Sequence, residues 1–199
     1  MRKDNSLTFT VAAVGFTAFL LLSACSVNVR KQANGQDKQV DIKTLVGGVH
    51  VSRQADMADI GLPVYPGARL KENDSDGSDR SANVNISGFG YGLKVVALEY
   101  ASDDAPMKVL SFYRDKLKRY GNVLECHTSR GNWNLNMGSR GSKNGSDEVT
   151  CEGSGGNDIE LKVGKNYDQH IVAVESKGNG SNFSLVYVRT HGKDKDADI

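Results

Sequence analysis

The side chains able to do chemistry in this 199-residue chain are few and scattered. Its four histidines are His50, His127, His170 and His191. No two stand four residues apart and no HExxH occurs, so a helical zinc pair is not expected. GxSxG and P-loop patterns are both missing. Gly88-Phe89-Gly90-Tyr91-Gly92 falls between two predicted strands, so it lacks the strand-to-helix setting of a dinucleotide loop. Glu99 and Glu125 end predicted strands and read as surface carboxylates. Asp74, Asp76 and Asp79 raise the question of calcium. However, Gly77 follows Asp76 directly and no glutamate closes the pattern, so residues 71–81 read as a solvated loop. Metal, cofactor and catalytic residues are therefore all expected to be none. What remains are the three cysteines, Cys25, Cys126 and Cys151.

Cys25 ends a distinctive leader. Met1-Arg2-Lys3 is a basic start, and residues 7–22 are almost purely apolar. Sixteen residues fall short of the roughly 20 needed to span a bilayer comfortably, but suit the apolar region of a secretory signal. The run closes in Leu22-Ser23-Ala24-Cys25, which resembles the lipobox of bacterial lipoproteins. The resemblance implies cleavage after residues 1–24, acyl chains on Cys25, and the lipid bilayer as a partner. Two or three chains anchor stably where one does not. With Ser26 rather than Asp after the cysteine, it also implies the outer membrane of a Gram-negative envelope. Residues 25–39 then read as a polar, lipidated tether.

In an exported chain, the remaining pair Cys126 and Cys151 suggests a disulfide. It would close the Gly-, Ser- and Asn-rich stretch 127–147, which holds Trp133, the only tryptophan, with Arg130 and Arg140. Two readings stay open. Trp133, Leu135 and Met137 alternate as a strand facing a core would. Exposed, Arg130, Trp133 and Arg140 would form a contact loop for a glycan, a lipid headgroup or a protein.

The elements that must position these groups follow from hydrophobic spacing. Val40, Ile42, Thr44 and Val46 alternate, Gly47-Gly48 turns, and Val49 and Val51 resume, giving a β-hairpin within segment 40–61. Strands are expected at 82–87 and 93–100, and the second, apolar on both faces, suits a central place. Ser102 or Asp103 would cap a helix carrying Met107, Leu110, Tyr113 or Arg114, Leu117 and Tyr120 inward, with Val109 and Phe112 beside them and Gly121 as the stop. Further strands are expected at 123–126, 148–151, 159–163, 169–175 and 183–191. The fold class is α+β: an antiparallel sheet with one principal helix on one face, plus the N-terminal hairpin. Domain limits are 62–191, with a charged tail at 192–199. Leu62-Pro63-Val64-Tyr65-Pro66-Gly67-Ala68 followed by the Phe112-Tyr113-Arg114 helix resembles a group of exported bacterial proteins sharing a YPGA-like entry. That resemblance carries a fold expectation and no catalytic residue.

Lys plus Arg is 25 and Asp plus Glu 24, and Arg2, Lys3 and Asp4 are the only charges in the leader. The remainder is formally neutral, so no nucleic-acid partner is expected. The expected function is that of a lipid-anchored envelope protein acting as a non-catalytic binding or structural module, with an envelope protein or glycan as partner. The alternative is an envelope hydrolase or transferase whose active site follows no common motif.

Overall fold

The computed structural model describes residues 26–31, 38–52, 55–71, 80–128, 147–151 and 155–192. The leader, Cys25, Asp74, Asp76, Asp79, the trio Arg130, Trp133 and Arg140, and the tail beyond Gly192 lie outside them. In chain order the elements are β1 (Ser26–Lys31), β2 (Lys38–Thr44), β3 (Gly47–Ser52), α1 (Met57–Ile60), β4 (Arg69–Leu70), β5 (Ser81–Gly88) and β6 (Tyr91–Ser102). Then come α2 (Pro106–Leu117), a 3-10 turn (Lys118–Tyr120), β7 (Leu124–Thr128), β8 (Asp158–Lys165), β9 (Asp168–Lys177) and β10 (Gly180–His191).

All strands join one antiparallel sheet in the order β1-β2-β3-β5-β6-β10-β9-β8-β7, with the two-residue β4 also on β6. The α+β class holds, with one main helix on an antiparallel sheet. β6 lies centrally, as its two apolar faces require. The last strand, β10, is inserted beside it, with Leu185 opposite both Leu98 and Val172.

The hairpin expected within 40–53 adds to the main sheet through β3 and β5. Two expectations on this side change. The hairpin turns at Leu45-Val46, and Gly47-Gly48 already belong to β3. In the segment read as a tether, Ser26–Lys31 is a strand, with Val27 opposite Ile42 and Val29 opposite Val40. The alternation Val27-Asn28-Val29-Arg30 is a short period-two signal that the polar surroundings masked.

The core lies under α2. Val109, Leu110, Tyr113 and Leu117 are buried against Val96, Leu98, Tyr100, Leu161, Val163, Val172, Val174, Phe183 and Leu185. Tyr100 stacks on Phe183 at 5.5 Å between ring centroids, and Tyr113 lies 5.6 Å from the same ring. The Tyr113 hydroxyl accepts from the Tyr65 N–H (3.0 Å) and donates to the Pro63 carbonyl (3.2 Å). One buried phenol thus satisfies the rigid proline segment and fixes it to the helix. Met107 is exposed rather than inward, because α2 starts one residue before it and its apolar stripe begins at Val109. Neither Ser102 nor Asp103 caps α2. Ala105 holds that place, Pro106 opens the helix, and the Ser102 hydroxyl accepts instead from the Asp104 N–H.

The strand expected at 148–151 is reduced to one bridge, Glu148 with Lys165, because β8 already pairs with β7 along its first half. On the face away from α2, Ile171, Val186 and Val188 form a second apolar cluster flanked by Leu93, Val95 and Ala97. These positions alternate with the core residues of β6, β9 and β10, so both sheet faces are apolar in the centre.

Candidate functional site

Of the residues singled out from sequence, the structure brings together Cys126 and Cys151. They form a disulfide with a Cα–Cα distance of 5.4 Å. Cys126 lies in the edge strand β7, opposite Glu160, and faces away from α2, whereas its neighbour Glu125 turns the other way to pair with Arg114 of the helix. The chain leaves β7 at Thr128, opposite Asp158, and is re-anchored where the Asn166 N–H donates to the Asp147 carbonyl (2.7 Å). The two ends of the loop are thus fixed near opposite ends of β8, and the disulfide pins the returning segment over the sheet's far face. The loop's contact trio cannot be placed, since Arg130, Trp133 and Arg140 lie outside the described residues.

Beside the disulfide lies a feature that alternation in Ile159-Glu160-Leu161-Lys162-Val163 concealed. Glu160 and Lys162 share the far face, and both are buried, with Nζ 3.1 Å from Oε2. Period two assigns them to solvent, yet their side chains are only 6% and 5% exposed. A charge in such surroundings persists only if paired, which this geometry provides.

A third cluster stands on the helix side. His170 is buried, its ring stacked on Tyr120 at 3.9 Å and tilted against Tyr187 at 4.8 Å. The Tyr120 hydroxyl donates to the Gly61 carbonyl (2.7 Å), and Arg119 binds the same carbonyl and the Tyr120 hydroxyl. This ties the C-terminal end of α2 to the end of α1, where Gly61 adopts φ +74°. Desolvation lowers the His170 pKa, opposed by Asp168 and by a hydrogen bond with the Ile60 backbone, and aided by Arg119. The cluster is built as a structural lock around a neutral imidazole.

A stability consequence follows with a definite sign. The unfolded chain takes up a proton at His170 near pH 6.5, before the folded chain does. This contribution is therefore fully present above about pH 6.5 and lost as pH falls below it toward the depressed folded value. The urea midpoint should drop between pH 7.5 and pH 5, and His170→Gln should flatten that drop. An equally steep decline in the variant would assign the pH dependence elsewhere.

On the sheet face shared with α1, the His50 Nδ1 is 2.6 Å from the Asp41 Oδ1, and Gln39 donates to the other carboxylate oxygen (3.0 Å). Hydrogen bonding to His50 holds the Asp41 carboxyl below the usual range. An oriented imidazole of this sort can act as a base, provided a nucleophile stands beside it. Its cross-strand neighbour is Asn85, an amide. Among the described residues, no group of three or more His, Cys, Asp or Glu side chains is placed to hold a metal ion. A shallow cavity of about 320 Å³ is lined by Arg69, Ser102, Asp103, Lys177, Asn182 and their neighbours, and Arg69 donates twice to Asp103, at 2.9 and 2.8 Å. That bidentate pair occupies Arg69, one of the cavity's two cations, with the cavity's own anion.

No family model, curated protein or solved structure matches the chain.

Proposed function

We propose that this chain is a lipid-anchored protein of a bacterial envelope, acting there as a non-catalytic binding or structural module. The observation that carries the reading is the sequence Leu22-Ser23-Ala24-Cys25 at the end of a sixteen-residue apolar run behind a basic start. The Cys126–Cys151 disulfide supports it, since such bonds persist in oxidising compartments outside the cytosol.

The test is metabolic labelling with a fatty acid, followed by membrane fractionation. Wild-type protein should take up label and sediment with membranes, and Cys25→Ser should lose the label entirely. Unlabelled wild-type protein would end the lipid reading. A second reading, an envelope hydrolase, is favoured only by the Asp41–His50 pair. It requires His50→Ala to abolish turnover of an ester or glycan substrate while leaving the fold intact.

A further inference from the structure

We infer that the end of the sheet where β1 begins is a membrane-contacting tip, with Leu45, Val46, Phe89 and Tyr91 entering the bilayer that holds the N-terminus. This rests on the lipid-anchor reading and adds to it an orientation of the domain.

The four side chains belong to two hairpin turns that lie side by side. Leu45 and Val46 join β2 to β3, and Phe89 and Gly90 join β5 to β6, with Tyr91 next. The Phe89 N–H donates to the Val46 carbonyl (3.1 Å), which couples the two turns. Their closeness depends on Gly47. A Cβ there would stand 2.1 Å from the Ser87 carbonyl oxygen and 2.5 Å from the Gly88 Cα. The sequence thus uses glycines to bring two apolar turns together, then leaves the turns uncovered. Leu45 is 80% exposed, Phe89 73%, Tyr91 54% and Val46 53%.

Phe89 has φ +54°, the only non-glycine residue with positive φ among the described residues. The following Gly90 has φ +83°, so the turn requires the left-handed region twice. Asn, Asp or Gly normally fills the first of these places. A bulky aromatic there is unfavourable for the turn and is exposed to water, so neither local geometry nor core packing accounts for it.

Position identifies the occupant. Ser26 pairs with Lys43, one residue before the end of β2, so the chain segment leading back to Cys25 leaves the domain beside this tip. An N-terminus held in a bilayer brings these four side chains to the same surface. Lys43 stands there as a cation for lipid phosphates. The other end of the sheet, at Ser102 and the start of α2, lies about 36 Å away for eleven residues of β6 at 3.3 Å each.

The experiment uses the full, acylated chain in vesicles of phosphatidylethanolamine and phosphatidylglycerol, with Trp133→Phe as background. Phe89→Trp reports on the tip and Met107→Trp on the far end, and brominated acyl chains serve as quencher. Flotation with the vesicles is scored first, and failure of wild type to float refutes the anchor itself. In floating protein, bromolipid should quench Phe89→Trp about twofold or more beyond Met107→Trp, as burial of the aromatic in hydrocarbon requires. Leu45→Trp, at a turn position without positive φ, should give the same result if Phe89→Trp folds poorly. Equal response at tip and far end overturns the orientation and leaves the anchor standing. A tryptophan at the tip that is shielded from water, unquenched by bromolipid and accompanied by dimers also overturns it, and would assign the tip to a second copy.

Discussion

Replacing Lys162 with methionine should cost the domain about 3–5 kcal/mol, the usual penalty for orphaning a buried charge. The methionine fills much of the same volume, so the loss would report the stranded Glu160 carboxylate rather than a void. The double replacement Glu160→Leu with Lys162→Met should recover most of that loss, because two well-packed apolar groups need no partner. Urea unfolding of wild type, both single variants and the double completes the cycle. If single and double variants are equally stable, the pair is hydrated in solution and the far face is open at β8. Against a total stability of about 5–15 kcal/mol, the single variant would stand close to unfolding at growth temperature.

The second large effect concerns the disulfide. Removing it by Cys126→Ala with Cys151→Ala should lower stability by about 2–5 kcal/mol, or some 4–20 °C in Tm for a domain of this size. The loss should be uneven. β7 is an edge strand held in the sheet by β8 alone, so its amides should be the first to lose hydrogen-exchange protection, ahead of β6 and β10. Thermal melts and exchange of the double variant measure both. Native protein in which both thiols react with alkylating reagent before reduction would show that the bond does not form.

The parts of the fold legible in sequence are those whose neighbours in space are also neighbours in pattern. The stripe Val109, Leu110, Tyr113 and Leu117 reveals α2, and the doubly apolar run around Val96 and Leu98 reveals a central strand. β1 escaped because its two valines are outnumbered by polar partners, and because its pairing is fixed by β2 rather than by its own composition. The disulfide was legible from the cysteine count together with the expectation of export, but the strand expected at 148–151 was not needed to form it.

Glu160 and Lys162 show the opposite failure. Alternation separates the two faces of a strand correctly, but does not reveal whether the second face is also covered. The same limit hid the cluster of Ile171, Val186 and Val188. The tip was visible as glycines and aromatics in Gly88-Phe89-Gly90-Tyr91-Gly92. Its meaning needed the register that sets it beside Leu45 and Ser26.

The placement of β10 has a consequence for how the chain becomes a domain. Its partners are β6 and β9, so the last of the described strands in chain order lies at the centre of the sheet. Phe183 and Leu185, which carry much of the core, must pair with Tyr100 and Leu98 across more than eighty residues of intervening chain. Such pairings form slowly, because loop-closure entropy is met before contact energy is gained. A chain emerging N-terminus first would therefore present β1 to β6 as an open half-sheet, unjoined to β7, β8 and β9, until the twelve residues of β10 arrive. Truncation within that strand should be far more damaging than loss of the residues beyond it. The interval before closure is also when the exposed strand edges most need protection from aggregation.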